Sequence, residues 1–165
     1  MISETMNNGV FLRPVINADL PNFFAQQQDP DANQMAAFTS RDPSDREAFD
    51  KHWQKIMADE SVIIRTIIFQ EQVAGYILSY LDEGNPEVGY WIGKEFWRKG
   101  IATQALAEFL SSVNTVRPIY ARTAKDNQAS KRVLEKCGFC VIKEMKGFAN
   151  ARGKEIEELL LILQE

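Results

Sequence analysis

The chain lacks the features that announce a metal centre, a disulfide scaffold or a nucleic-acid binder. Its 165 residues hold one histidine, His52, and two cysteines, Cys137 and Cys140. The cysteines form a solitary C-x-x-C with neither a second such pair nor a nearby histidine pair, so four zinc ligands are not assembled and no metal is expected. A redox pair sits at a helix N-terminus that lowers the thiol pKa, whereas this one falls where a helix ends and a strand begins. Both cysteines read as packing residues. No Lys/Arg-rich run follows a phosphate backbone, and 19 basic against 23 acidic residues give a formal charge of −4, so nucleic acid is not an expected partner. No apolar stretch approaches the ~18 residues of a membrane helix. Residues 1–10 carry Glu4, Asn7 and Asn8 in place of a basic start and an apolar stretch, so no membrane partner and a cytoplasmic location are expected. Neither G-x-G-x-x-G nor G-x-x-x-x-G-K-[ST] occurs, and no internal repeat or linker divides the chain.

What is there suits one folded domain over residues 1–165: 45% hydrophobic and 25% charged residues, with no segment depleted in large apolar side chains. Val10 to Ile16 reads as a first strand, at an edge because Pro14 interrupts it. Asn17 or Asp19 caps a short helix to about Gln28. Asp29, Asp31, Asn33 and Gln34 form a polar stretch between the helices and read as a solvated loop. Asp42-Pro43 starts a second helix whose apolar stripe is Phe49, Trp53, Ile56 and Met57, with His52 at its edge. Residues 61–69 and 73–81 form a hairpin, and 87–93 another strand. The 3.6-residue stripe Ala105, Leu106, Phe109, Leu110 and Val113 makes a helix from Ala102. Residues 118–123 read as a strand, 127–136 as a helix ended by Gly138, and 139–145 and 155–163 as two strands. The order βααβββαβαββ defines an α/β fold with a mixed sheet.

The most informative segment is Glu87-Val88-Gly89-Tyr90-Trp91-Ile92-Gly93-Lys94-Glu95-Phe96-Trp97-Arg98-Lys99-Gly100-Ile101-Ala102-Thr103, a strand, a loop and a helix start. First-turn N–H groups have no intrahelical acceptor and the helix dipole adds partial positive charge, so a diphosphate can be held by main-chain donors. The dipole contributes only ~0.3–1 kcal/mol; Arg98 and Lys99 add charge-assisted donors. The same pattern also serves an ordinary glycine-containing turn with two solvated basic residues.

Trp97-Arg98-Lys99-Gly100-Ile101-Ala102 resembles the acetyl-CoA motif [QR]-x-x-G-x-[GA] of the GNAT superfamily, with Trp at the first position as in its RimJ/RimL-type branch. Downstream, Asn127-Gln128-Ala129-Ser130-Lys131-Arg132-Val133-Leu134-Glu135-Lys136-Cys137-Gly138-Phe139 is similar to that branch's N-x-x-S-x-x-v-L-E-K-x-G-F. The resemblance implies a mixed, mostly antiparallel twisted sheet of about seven strands flanked by about four helices. It also implies an acetyl-CoA-dependent N-acetyltransferase acting by direct transfer to a primary amine, in a small molecule, a peptide or a protein N-terminus.

By the same resemblance, pantetheine pairs with main-chain groups of Tyr90, Trp91 and Ile92, and Arg98, Lys99, Gly100, Ile101, Ala102 and Thr103 hold the diphosphate. Asn127 then bonds the pantetheine arm, or simply caps its helix. Glu87 is the candidate base and Ser130 the candidate proton donor or partner of the sulfur, since the position of the family's usual tyrosine is Leu134. The Ile92 N–H is a candidate to polarise the carbonyl. Neutralising an α-amino group of pKa ~7.7–8.0 at pH 7 costs about 1 kcal/mol, against about 4.6 for lysine, so a weak base suffices for the former. A catalytically silent acyl-CoA-binding module is the alternative; it needs the phosphate loop but not Glu87. A homodimer is left open.

Overall fold

Short turns set the order of the sheet. Strands β2 (Ile63–Phe69) and β3 (Gln72–Asp82) are joined by Gln70 and Glu71, and β3 and β4 (Asn85–Ile92) by Glu83 and Gly84. All four turn residues have positive φ, the two-residue hairpin geometry whose twist matches that of the flanking strands. The computed structural model describes residues 9–165. With β1 (Val10–Pro14), β5 (Ile119–Ala124), β6 (Cys140–Ala149) and β7 (Lys154–Leu163), these strands form one sheet ordered β1-β2-β3-β4-β5-β7-β6. Every neighbouring pair is antiparallel except β4 and β5. Strand β1 ends at Pro14, on the sheet edge that proline tolerates.

The helices are α1 (Leu20–Gln26), α2 (Pro30–Ala36), α3 (Arg46–Ala58), α4 (Ile101–Glu108) and α5 (Gln128–Lys136). Helix α4 runs on through a π turn, Phe109–Val113, so its apolar stripe is as long as the sequence pattern. On one face of the sheet, Leu106, Phe109 and Leu134 pack with Ile77, Ile119 and Leu161. On the other, Phe23, Phe49 and Trp53 cover Ile64, Tyr76 and Leu78. The mixed sheet is as expected, but the helix count is not: the polar stretch 29–34 is not a loop. Asp29 accepts from the Ala32 N–H, Pro30 occupies the first turn, and α2 results. The order is therefore βαααβββαβαββ. Asp42 does not start α3; it folds back on the Ser44 amide and hydroxyl, while Asp45 caps the helix by accepting from Ala48.

Two local features hold the frame. Gly75, at a β-bulge facing β2, lies so close to β4 that a Cβ there would stand 1.9 Å from the Trp91 carbonyl oxygen. Asp19, 2% exposed, takes both nitrogens of the Arg13 guanidinium at 2.7 and 2.8 Å, the Thr66 hydroxyl at 2.6 Å and the Ile16 N–H at 3.0 Å. This ties β1, β2 and the approach to α1 together. Burial alone would raise the Asp19 pKa, but the hydrogen bonds and the Arg13 charge outweigh it and the net shift is downward.

Two outcomes are expected. Gly75→Ala should destabilise the fold by about 3 kcal/mol or more, because backbone and not a movable side chain opposes the methyl group; urea unfolding measures it. Because Asp19 is held below its ordinary pKa, its contribution is complete above the unfolded carboxyl value and lost as pH falls through the folded one. Asp19→Asn should cost about 2 kcal/mol at pH 7, and its deficit relative to the native chain should shrink as unfolding is repeated at progressively lower pH.

Candidate active site

Strands β4 and β5 pair at one register position, Glu87 with Tyr120. Beyond it β4 diverges toward the loop before α4, and β5 toward α5. A cleft of about 640 Å³ lies in this gap and reaches both faces of the sheet. On the α4/α5 face its wall includes Thr103, Asn127, Ser130 and Val133; on the opposite face it includes Met35, Phe38, Tyr80, Arg122 and Glu158.

The main chain of β4 supplies donors to the gap. The Gly93 N–H bonds the Ala74 carbonyl, and in an antiparallel ladder alternate residues face opposite neighbours. Ile92 therefore turns its N–H and C=O away from β3. Its carbonyl accepts the Trp97 indole N–H at 2.9 Å. Trp97, at the position where the motif departs from the general pattern, thus braces the loop against the strand. Trp91 sits opposite Tyr76 of β3, and its buried indole nitrogen has no partner among the described residues.

The loop then enters α4 with Arg98 at φ 62° and Gly100 at φ 74°. Left-handed residues on either side of Lys99 turn successive N–H groups toward one side, the concavity that suits an anion. Glycine adopts such a φ at no steric cost, and a Cβ at Gly100 would meet nothing closer than Gln104 Nε2 at 3.9 Å; within the protein, dihedral freedom rather than lack of room favours glycine there. The helix cap makes no side-chain hydrogen bond, which leaves the first-turn N–H groups of Ile101, Ala102 and Thr103 available. Arg98 lines the cleft with Gly100 and these three residues; Lys99 is not among the lining residues.

Across the gap Asn127 caps α5: its side chain accepts from the Ser130 N–H at 3.1 Å and donates to the Met35 carbonyl at 3.3 Å. The Ser130 hydroxyl lies 3.1 Å from the Tyr90 hydroxyl. Burial pushes Tyr90 up to about 12, with Ser130 pulling the other way, so the phenol keeps its proton at neutral pH. Leu134 is buried in the core at 1% exposure. His52 is not among the residues lining the cleft and meets Trp53 edge-on. Cys137 caps the C-terminus of α5, where burial raises its thiol. Among the described residues no group of three or more His, Cys, Asp or Glu side chains is arranged to hold a metal, and no helix is long and apolar enough to cross a membrane.

On the opposite face Glu87 is 5% exposed. Its Oε2 accepts the Tyr80 hydroxyl at 2.5 Å and its Oε1 accepts Nε of Arg122 at 3.1 Å. Arg122 also bonds Asp82 at 2.9 Å and has Glu158 at 4.0 Å. Sequence reasoning passed over Tyr80, Arg122, Glu158 and Phe38. Tyr80 was within reach, since a two-residue turn at 83–84 fixes its pairing with Glu87. Arg122 and Glu158 come together only because β7 inserts between β5 and β6.

Comparison with known proteins agrees with this architecture. The family model described as an acetyltransferase (GNAT) domain matches residues 10–140. YdaF of Bacillus subtilis (strain 168), whose name assigns it provisionally to ribosomal N-acetylation, is 32% identical over 100 residues. That match takes in 57% of this chain and 55% of YdaF, so the chain aligns with about half the length of this curated relative. Among solved structures, RimL, a ribosomal L7/L12 alpha-N-protein acetyltransferase in complex with coenzyme A, superposes with a TM-score of 0.78 at 20% identity, covering 94% of this chain and 93% of RimL. Mycobacterium smegmatis RimJ, in complex with CoA-disulfide, gives 0.79 at 22% identity over 94% of this chain and 81% of RimJ. These two likenesses concern the fold; the family match spans most of the chain, which therefore belongs to the GNAT acetyltransferase family.

Proposed function

We propose that the chain is one cytoplasmic acetyltransferase domain that moves an acetyl group from acetyl-CoA directly to a primary amine. The observation that carries the reading is the parting of β4 from β5 beside an uncapped helix start. The residues present fit the co-substrate. Tyr90 and the Ile92 N–H offer main-chain groups turned away from β3 along the gap, Arg98 and the N–H groups of residues 100–103 suit a diphosphate, and the Asn127 amide would donate to a pantetheine arm held there. Bound there, acetyl-CoA supplies an activated thioester carbonyl. RimL and RimJ, both named for complexes with coenzyme A or its disulfide, lend the same cofactor by analogy.

Geometry supports a role for each of the chain's own groups. The Ile92 N–H, turned into the gap, is the donor placed to polarise the reacting carbonyl. Ser130, hydrogen-bonded to a fully protonated Tyr90, gives the leaving sulfur a hydrogen-bond partner with a second hydroxyl behind it. That arrangement answers the weakness of a lone serine as an acid. Glu87 fixes Arg122 and sets negative charge at the acceptor end. The acceptor enters from the face of Tyr80, Phe38 and Glu158. RimL, named as a ribosomal L7/L12 alpha-N-protein acetyltransferase, favours a protein α-amino group, which is also the amine cheapest to neutralise at pH 7.

Calorimetry with CoA and acetyl-CoA on ligand-free protein tests the reading: both should bind, and a folded chain that gives no heat with either would end it. Arg98→Ala should weaken CoA binding about tenfold, ~1.4 kcal/mol. Ser130→Ala should lower kcat by about a hundredfold with little change in the KM for acetyl-CoA, read from thiol release with an amine acceptor.

A further inference from the structure

We infer that Glu158 of β7, and not Glu87, is the group that takes the proton from the acceptor ammonium. The inference rests on the acetyltransferase reading above and assigns the acceptor side of the same cleft.

The two carboxylates flank one guanidinium but are differently committed. Each Glu87 oxygen already accepts a hydrogen bond, one from Tyr80 and one from Arg122. Both oxygens are thus engaged, and Glu87 serves to hold Tyr80 and Arg122 in place. Glu158 lines the same cleft with its side chain 14% exposed. Among the described residues its nearest cation is Arg122 at 4.0 Å, beyond hydrogen-bond distance, so its lone pairs remain available to a cationic substrate. Its surroundings are sparse in compensating charge. Across β5 it faces Ala124 and Arg122, and on β4 beyond them Glu87, with Asp82 on the far side of the guanidinium. Across β6 it faces Met145, with Lys143 on the same face and Gly147 beside it. The wall supplied by the segment after α2 is Phe38, which is apolar. Burial and the Glu87 charge raise the Glu158 pKa, against a lowering by Arg122. A carboxyl moved upward in this way is better matched to an amine than an ordinary glutamate.

The step balances without further reagents. The acceptor ammonium loses one proton to Glu158, an N–H bond breaking as an O–H bond forms. The neutral amine attacks, its C–N bond forming as the thioester C–S bond breaks. The sulfur departs with the electron pair and receives the second nitrogen proton, beside Ser130; Glu158 returns its proton to solvent.

The test uses the full chain and the Glu158→Gln, Glu87→Gln and Glu157→Gln variants, the last on the opposite face of β7 and paired with Lys125. A pool of tripeptide amides with free α-amino groups, together with putrescine, serves as acceptor, and CoA calorimetry is run on every variant. Glu158→Gln should lower kcat at least a hundredfold, leave CoA affinity within twofold and abolish the acid limb of the kcat–pH profile. Glu87→Gln should keep that limb, moved to lower pH by loss of the neighbouring negative charge, and Glu157→Gln should match the native chain. Carbon-13 NMR of the glutamate carboxyls, with Glu158 assigned by its absence in Glu158→Gln, should give a midpoint above the ordinary glutamate value. The assignment falls if Glu158→Gln keeps the acid limb, if it raises only the amine KM at unchanged kcat, if Glu87→Gln removes the limb, or if the Glu158 resonance titrates at or below the ordinary value. Absence of CoA binding by the native chain removes the acetyltransferase reading itself; retained CoA binding with an ordinary Glu158 titration removes only this assignment.

Discussion

The molecule is organised around one unsatisfied piece of β-sheet. Parallel strands normally bond along their shared length, yet β4 and β5 touch at Glu87 and Tyr120 and then part. A buried edge of backbone N–H and C=O groups is costly unless something meets it. Here the costs are partly met from within: Trp97 satisfies the Ile92 carbonyl, and Gly93 stays on the β3 ladder. What remains is a strip of oriented donors leading to the start of α4. One end of that strip depends on close backbone packing, at Gly75 against Trp91, and the other on the left-handed turn through Gly100. The cleft is therefore a property of the sheet, and the side chains around it refine an opening that the backbone creates.

Electrostatics divides the opening into two unlike halves. The α4/α5 side offers a helix start and Arg98, which suit anionic groups. The other side gathers Asp82, Glu87 and Glu158 around the single guanidinium of Arg122, a net negative lining that suits an ammonium. Opposite fields on opposite faces, joined through one gap, suit an anionic group on one wall and a cationic group on the other.

Much of this was legible in residue order. The β4–loop–α4 segment and the Asn127–Phe139 helix carry patterns whose chemistry is local, so Gly100, Ile101, Ala102, Thr103, Asn127 and Ser130 all fall on the cleft. Along β4 the two-residue period of a strand puts Val88, Tyr90 and Ile92 on the core face, with Glu87 opposite Tyr80. What escaped is what depends on tertiary order. The insertion of β7 beside β5 brings Glu158 toward Arg122, and neither residue stands in a motif. Helix α2 was hidden for a different reason: its seven residues carry one large apolar side chain, Met35, and so no apolar stripe, and its capping aspartate and Pro30 resemble those of a turn.

Helix α2 is fastened at both ends to the opposite half of the site. Lys94, just ahead of the loop into α4, pairs with Asp31; Asn127 reaches the Met35 carbonyl, and Arg152, itself paired with Asp126, reaches the Gln34 carbonyl. The Ala37 carbonyl and the Thr39 carbonyl are bonded in turn from the β6–β7 hairpin. It is a strut rather than a lid. Lengthening or recomposing residues 30–36 would loosen both walls of the cleft at once, so a change meant for one wall is better made at strand positions whose side chains touch that wall alone.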